Sequence, residues 1–124
     1  PPSDDALFKS ESEIIARIAR ERSAVIIGRC GSYILRDHPN HVSVFLHADR
    51  VFRKERLRTL YDLSEDAAEK MIAHSDRERA LYHRTVTGQE WTDASRYDLA
   101  LDTAKTGIDS CVAVILKYLE LTKR

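Results

Sequence analysis

Residues 24–46 read AVIIGRCGSYILRDHPNHVSVFL, and this stretch decides the fold. Ala24 to Ile27 is a continuous apolar run closed by Gly28, the pattern of a strand buried on both faces of a parallel sheet. Ser32 to Leu35 predicts a short helix, stopped by the Asp37-His38-Pro39-Asn40 turn. Val42 to Leu46 is a second apolar run and a second expected buried strand. Strands alternating with helices point to an α/β fold with a parallel sheet.

The pattern continues in both directions. Upstream, Leu7, Phe8, Ile14, Ile15, Ile18 and Ala19 keep helical spacing, and Ser10 with Glu13 has the form of a capping box. Pro1 to Asp5 reads as linker, and a chain that opens without Met reads as the middle of a longer polypeptide or a processed start. Downstream, Asp49 is expected to cap a helix running to about Tyr61. Ser64, followed by Glu65 and Asp66, opens another, with acids where the helix dipole favours them. Thr87-Gly88 to Asp93 reads as a loop and Leu99 to Leu101 as a third short strand. Thr106 and Asp109 form a second candidate capping box, before a helix with Ile108, Cys111, Val112, Ile115, Leu116 and Leu119 on one stripe. The expectation is an α/β fold, a parallel sheet flanked by helices. Three strands make a thin sheet, so the sheet is expected to be incomplete in this chain.

Composition narrows the function. The chain has 124 residues, 43% hydrophobic and 32% charged, enough for one core and too ordered for a disordered segment. Twenty basic residues balance twenty acidic ones, which argues against a surface built to coat nucleic acid or anionic lipid. No apolar run is long enough for a membrane span. Cys30 and Cys111 form no C-x-x-C pair, so neither a disulfide framework nor a zinc knuckle is expected. With no targeting segment visible, a cytoplasmic location is the default.

Ligands in open α/β folds sit in the loops after the strands' carboxyl ends. Arg29, in Gly28-Arg29-Cys30-Gly31, is placed there to grip a phosphate bidentately. The expected helix after the second strand carries Arg50, Arg53, Lys54, Arg56 and Arg58 against Glu55 alone, a strong local field or a solvated face. Asp102, after the third strand, reads as a turn or cap residue in preference to a catalyst. Residues 73–79, AHSDRER, hold no large apolar side chain, so burial cannot tie them down. With Arg77, Arg79 and then Arg84 they suit a mobile lid over phosphates, salt-bridged helix surface being the alternative. His38, His41 and His47 lack metal-ligand spacing. Trp91 and Tyr97 read as core packing before a base-stacking platform. Gly28-Arg29-Cys30-Gly31-Ser32 also has the form of a nucleophile elbow, with Cys30 as a thiol whose neighbour Arg29 would favour the thiolate. None of the histidines can be assigned as its base from sequence.

Five stretches taken together resemble the cytidylate kinase-like family of P-loop nucleoside monophosphate kinases. They are LFKSESEIIARIA, AVIIGRCGSYILRDHPN, VSVFLHADRVFRKERL, LSEDAAEKMIAHSDRERALYHRTVTGQEWTD and SRYDLALDTAKTGID, covering nearly the whole chain in order. The resemblance implies a P-loop NTPase-like fold, with residues 1–124 forming the C-terminal, acceptor-nucleotide and lid portion of one kinase domain. It implies phosphoryl transfer from ATP, with Mg2+, to a nucleoside monophosphate, CMP or dCMP first. Arg29 looks like the arginine that holds the acceptor nucleotide. Asp76 and Arg79 look like the D-x-x-R pair, the Asp on the ribose and the Arg on the phosphates, with Arg77 a further catalytic lid arginine and Arg84 a further acceptor contact.

Three positions depart from the family pattern. Cys30 stands where cytidylate kinases carry the Asp of GRD, and Ile72 where they carry an Arg four residues before D-x-x-R. The Gly-rich phosphate loop has no counterpart among Gly28, Gly31, Gly88 and Gly107. An upstream segment of the same protein is therefore the expected partner, with small-molecule nucleotides. Neither nucleic acid nor membrane is expected, and a homo-oligomer is admitted but not required. A non-catalytic nucleotide-binding or interaction domain is the first alternative function, and a Cys30-dependent hydrolase the second.

Overall fold

The computed structural model describes residues 3–123. Helix α1, Asp4–Glu21, starts on Ser3, whose hydroxyl accepts from the Ala6 amide. Asp4 and Asp5 lie in its first turn, where the helix dipole favours acids. The expected linker over residues 1–5 therefore becomes helix at Asp4, with Pro1 and Pro2 outside the described residues. Ser10 lies within α1 and caps nothing, because the chain already has a better-placed acceptor at Ser3.

Residues 23–27 carry no regular secondary structure and belong to no strand. This corrects the first expected strand. Val25 is 87% and Ile27 83% exposed, and no backbone among the described residues pairs with them. Apolar character favours a strand only where a neighbour supplies hydrogen bonds and cover.

After the short helix α2, Gly31–Ile34, strand β1, Val44–His47, pairs in parallel with β2, Leu99–Asp102. The sheet has two strands among the described residues, against the expected three. Their register runs from Val44 opposite Leu99 to His47 opposite Asp102. A clasp at the entering end sets it. The Ser43 amide and hydroxyl both donate to Asp98 Oδ2, at 2.8 and 3.1 Å, and the Asp98 amide donates back to Ser43 Oγ at 3.0 Å.

The crossover between the strands is helical, as parallel pairing requires. Helix α3, Arg50–Tyr61, is capped by Asp49, and α4, Glu65–Thr87, by Ser64, both as expected. Helix α4 is continuous through residues 73–79 and ends on left-handed Gly88. A 3-10 turn, Ala94–Arg96, precedes β2. Asp102 then caps α5, Thr103–Thr106, in the capping role its sequence position suggests. Helix α6, Ile108–Leu121, follows Gly107, with no side-chain cap. Thr106 is thus not the expected cap, and its hydroxyl lies 3.4 Å from Cys111 Sγ.

The core is small. Ile15 of α1, Leu35, Ala68 and Ile72 of α4, and Cys111 of α6 are buried, Ile72 at 2% exposure. The α6 stripe exists as read, but Val112, Leu116 and Leu119 face solvent and only Cys111 of that stripe is buried.

Candidate functional site

The site begins with a turn. The Gly31 amide donates to Gly28 O at 3.0 Å, and both central residues are left-handed, Arg29 at φ 54° and Cys30 at φ 58°. These signs belong to a type I′ turn, which normally takes Gly or Asn at both positions. Holding two other residues there costs about 1–3 kcal/mol each, so neighbours must over-determine the turn. Gly31 is the first constraint, since a Cβ there would meet Ile26 Cγ2 at 2.8 Å. The Arg29 and Cys30 side chains supply the others.

Arg29 is forked onto Glu11 of α1, with Nε at 3.1 and 3.2 Å from the two carboxylate oxygens. Its guanidinium lies 5.2 Å from the Tyr82 ring centroid, and the Tyr82 hydroxyl donates to Glu11 Oε2 at 3.4 Å. The hydrogen bonds that Arg29 donates to Glu11 hold the Arg29 pKa above its ordinary value, against desolvation. Arg29 is thus fixed in direction and about half exposed, with an acid beside it that an incoming anion would have to displace.

Tyr82 connects this turn to the D-x-x-R pair. Asp76, Arg79 and Tyr82 follow at intervals of three on α4, each about 60° round from the last on a helix that turns about 100° per residue. Arg79 is about 4.5 Å of helix rise from Tyr82. Arg53 of α3 grips Asp76 with two prongs, Nη1 to Oδ2 at 3.0 Å and Nη2 to Oδ1 at 2.6 Å, and Arg79 Nη1 donates to Oδ1 at 3.3 Å. The Arg53 hydrogen bonds draw the Asp76 carboxyl pKa below its ordinary value despite partial burial. Arg79 also lies over Trp91, 5.0 Å from the ring centroid. Trp91 meets Phe45 of β1 edge-on and Tyr97 stacks on the same ring, so both aromatics pack as read from sequence.

The other two arginines take other faces. Arg77 is exposed, about 100° round the helix from Asp76, with no ion pair among the described residues. Arg84 is forked onto Glu90 at 2.7 and 2.9 Å, a bond that raises the Arg84 pKa and lowers that of Glu90. The structure therefore joins Asp76 with Arg79, sets Arg29 against Glu11 and Tyr82, and leaves Arg77 and Arg84 apart from both groups.

Cys30 has a partner the sequence did not reveal. Its Sγ lies 3.6 Å from Nδ1 of buried His83, one position beyond Tyr82. Burial raises the thiol pKa, outweighing Arg29, and burial lowers the imidazole pKa. Both groups are held neutral, whereas an activated thiolate needs its partner charged.

The basic face of α3 is largely neutralised. Arg50 pairs with Glu69, Lys54 with Glu65, and Arg58 with Glu55, in addition to Arg53 with Asp76. The ion-paired helix surface wins over a free positive field, and one of these pairs, Arg53 with Asp76, ties the AHSDRER segment to α3. Ile72, where the family has Arg, is a core residue here. Among the described residues no three His, Cys, Asp or Glu side chains converge on a metal position. No helix among the described residues is long and apolar enough to cross a membrane.

Glu11, Arg53 and His83 are the site's supporting residues that sequence reading missed. Each acts through a partner 18 or more positions away, for which no local spacing gives a signal.

The chain is an α/β domain with a parallel two-stranded sheet and helices among its described residues. The chain belongs to the cytidylate kinase-like family, whose profile matches residues 1–105. Among solved structures it is similar to an uncharacterized protein from Eubacterium ventriosum ATCC 27560, with 28% identity and a TM-score of 0.85 over 91% of this chain. The chain spans 64% of that protein's length. No curated protein matches it.

Proposed function

We propose that the longer protein to which this chain contributes transfers a phosphoryl group from ATP, with Mg2+, to a nucleoside monophosphate, with CMP or dCMP the first acceptors to test. In this reading residues 1–124 form the acceptor and lid portion of a P-loop NTPase-like domain. The donor-phosphate cradle belongs to sequence beyond them. The observation that carries it is the Asp76–Arg79 pair on α4, its carboxylate oriented by Arg53, with Arg29 set against Tyr82 of the same helix. Phosphoryl transfer is chiefly positioning and charge stabilisation, and a fixed arginine beside an oriented carboxylate is suited to both.

Arg29 and Arg79 would hold the acceptor's phosphate while Asp76, oriented by Arg53, accepts from its ribose hydroxyls. Arg77, exposed and unpaired among the described residues, would meet the transferring phosphate from the solvent side. Arg84, committed to Glu90, would contribute only after exchanging that partner.

The test is a coupled assay of the full-length native protein with ATP, Mg2+ and a panel of nucleoside monophosphates. Turnover with CMP or dCMP supports the reading. Saturable nucleotide binding without turnover on any acceptor replaces it with a non-catalytic binding module. A Cys30-dependent hydrolase is favoured only by the Cys30–His83 contact within a strained turn, and the neutral state of both groups opposes it. Cys30→Ser would abolish such a hydrolase, whereas a kinase should retain its turnover.

A further inference from the structure

A cleft opens beside Ser43 and Asp98, the residues that lead into β1 and β2, and reaches His83, whose Nδ1 lies against Cys30 of the GRC turn; Asp76 and Arg79 do not line it. It comprises two adjoining hollows of about 240 and 220 Å³ that share Ser32, Arg36, Ser95, Arg96 and Tyr97.

Its chemistry is one-sided. The larger hollow has no carboxylate in its lining. The smaller has Asp98, whose Oδ2 is already taken by the Ser43 amide and hydroxyl. Arg36 is held by its own helix, Nη1 donating to Tyr33 O at 2.7 Å with the guanidinium 3.9 Å from the Tyr33 ring centroid. Among the described residues it meets no acid, so its remaining N–H groups are pre-oriented and unspent. Arg96 has only a loose pairing with Asp93, 3.6 Å away and outside the lining. Ser32, Ser95 and His83 also line the larger hollow, the Ser95 hydroxyl already donating to Asp93 Oδ1 at 2.6 Å.

We infer that this cleft binds the phosphate group of a small phosphate monoester, at a site separate from the proposed acceptor site. Two guanidinium forks offer more N–H groups than the two oxygens of a carboxylate can use. A phosphate presents three terminal oxygens, and the combined volume leaves room for a sugar-sized group beside it.

The experiment is an NMR titration of the full-length native protein with ribose 5-phosphate, following the amides of Ser95, Arg96 and Tyr97. Parallel titrations use inorganic phosphate and ribose. Saturable shifts with the ester, absent with ribose, are expected. Arg36→Gln combined with Arg96→Gln should weaken binding by about tenfold or more, and Arg79→Ala should leave it unchanged. Both cleft arginines are exposed, so a preserved Tm distinguishes lost contacts from lost fold. No saturation at millimolar ester, or binding of inorganic phosphate but not the ester, would overturn the inference. So would an equal loss in Arg79→Ala, since that would put the ligand at the acceptor site. These outcomes are independent of kinase turnover.

Discussion

Arg53 of α3 closes both oxygens of Asp76 on α4, at 3.0 and 2.6 Å, and so orients a carboxylate that the sequence motif alone leaves free to rotate. Arg53 therefore acts as a positioning residue for the D-x-x-R pair. Removing it should cost stability and alter how Asp76 titrates. The pair is about one-third exposed, so the coupling in an Arg53→Leu, Asp76→Asn double-mutant cycle should be about 0.5–1 kcal/mol after screening. The folded Asp76 pKa is depressed, so its contribution is present above the ordinary carboxylate range and lost as pH falls through the lowered value. Carboxyl NMR should show the Asp76 pKa rising toward normal in Arg53→Leu. An unmoved titration would remove Arg53 from this role.

Arg79 donates to Asp76 and lies over Trp91, so its guanidinium is held from two directions. Arg79→Ala in the full-length protein should lower kcat by about tenfold or more, because fixed positive charge stabilises the transferring phosphoryl group. Unchanged kinetics would exclude Arg79 from the reaction.

Glu11 occupies the fork of Arg29 that an acceptor phosphate would take. Glu11→Gln keeps the shape but removes the competing charge, so the acceptor KM should fall by about two- to tenfold with kcat little changed. A raised KM would mean that Glu11 positions Arg29 and does not compete for it.

Ile72 is the largest side chain with almost no exposure, at 2%. Ile72→Ala should destabilise the domain by about 2–5 kcal/mol, read from urea unfolding. Ile72→Arg, which restores the family's residue, should do worse, because it buries a charge without a partner.

His83 is buried and its folded pKa lies below the ordinary 6.5, as does that of His41, burial being the main cause for both. As pH falls through about 6.5 the unfolded chain takes these protons first, so stability should decline with acidity below that value. Wild-type unfolding free energy should be lower at pH 5.5 than at pH 7, and His83→Gln should show a shallower decline. Equal slopes would mean that His83 is accessible to protons in the folded state.

Much of the architecture was legible because it depends on local chemistry. Ser64 and Asp49 cap helices because their side chains accept from amides three positions on, and Val44–His47 and Leu99–Asp102 are strands because short apolar runs favour them. The same logic overreached at Ala24–Ile27, where an apolar run had no neighbour to pair with, and at Ser10, where an earlier Ser already served.

The site divides along the same line. The residue sequence by itself determined which groups could carry the chemistry: Arg29 in a Gly-flanked turn, and Asp76 and Arg79 at helical spacing. Tertiary structure alone decided what holds them, setting Glu11 on Arg29, Arg53 on Asp76 and His83 on Cys30. It also decided that the α3 bases are largely paired with acids and that the α6 stripe faces solvent. Caps and periodicity are set by neighbours a few residues apart along the chain. Charge pairing and burial depend on which distant side chains the helix packing brings within about 3–4 Å, a distance that no local pattern encodes.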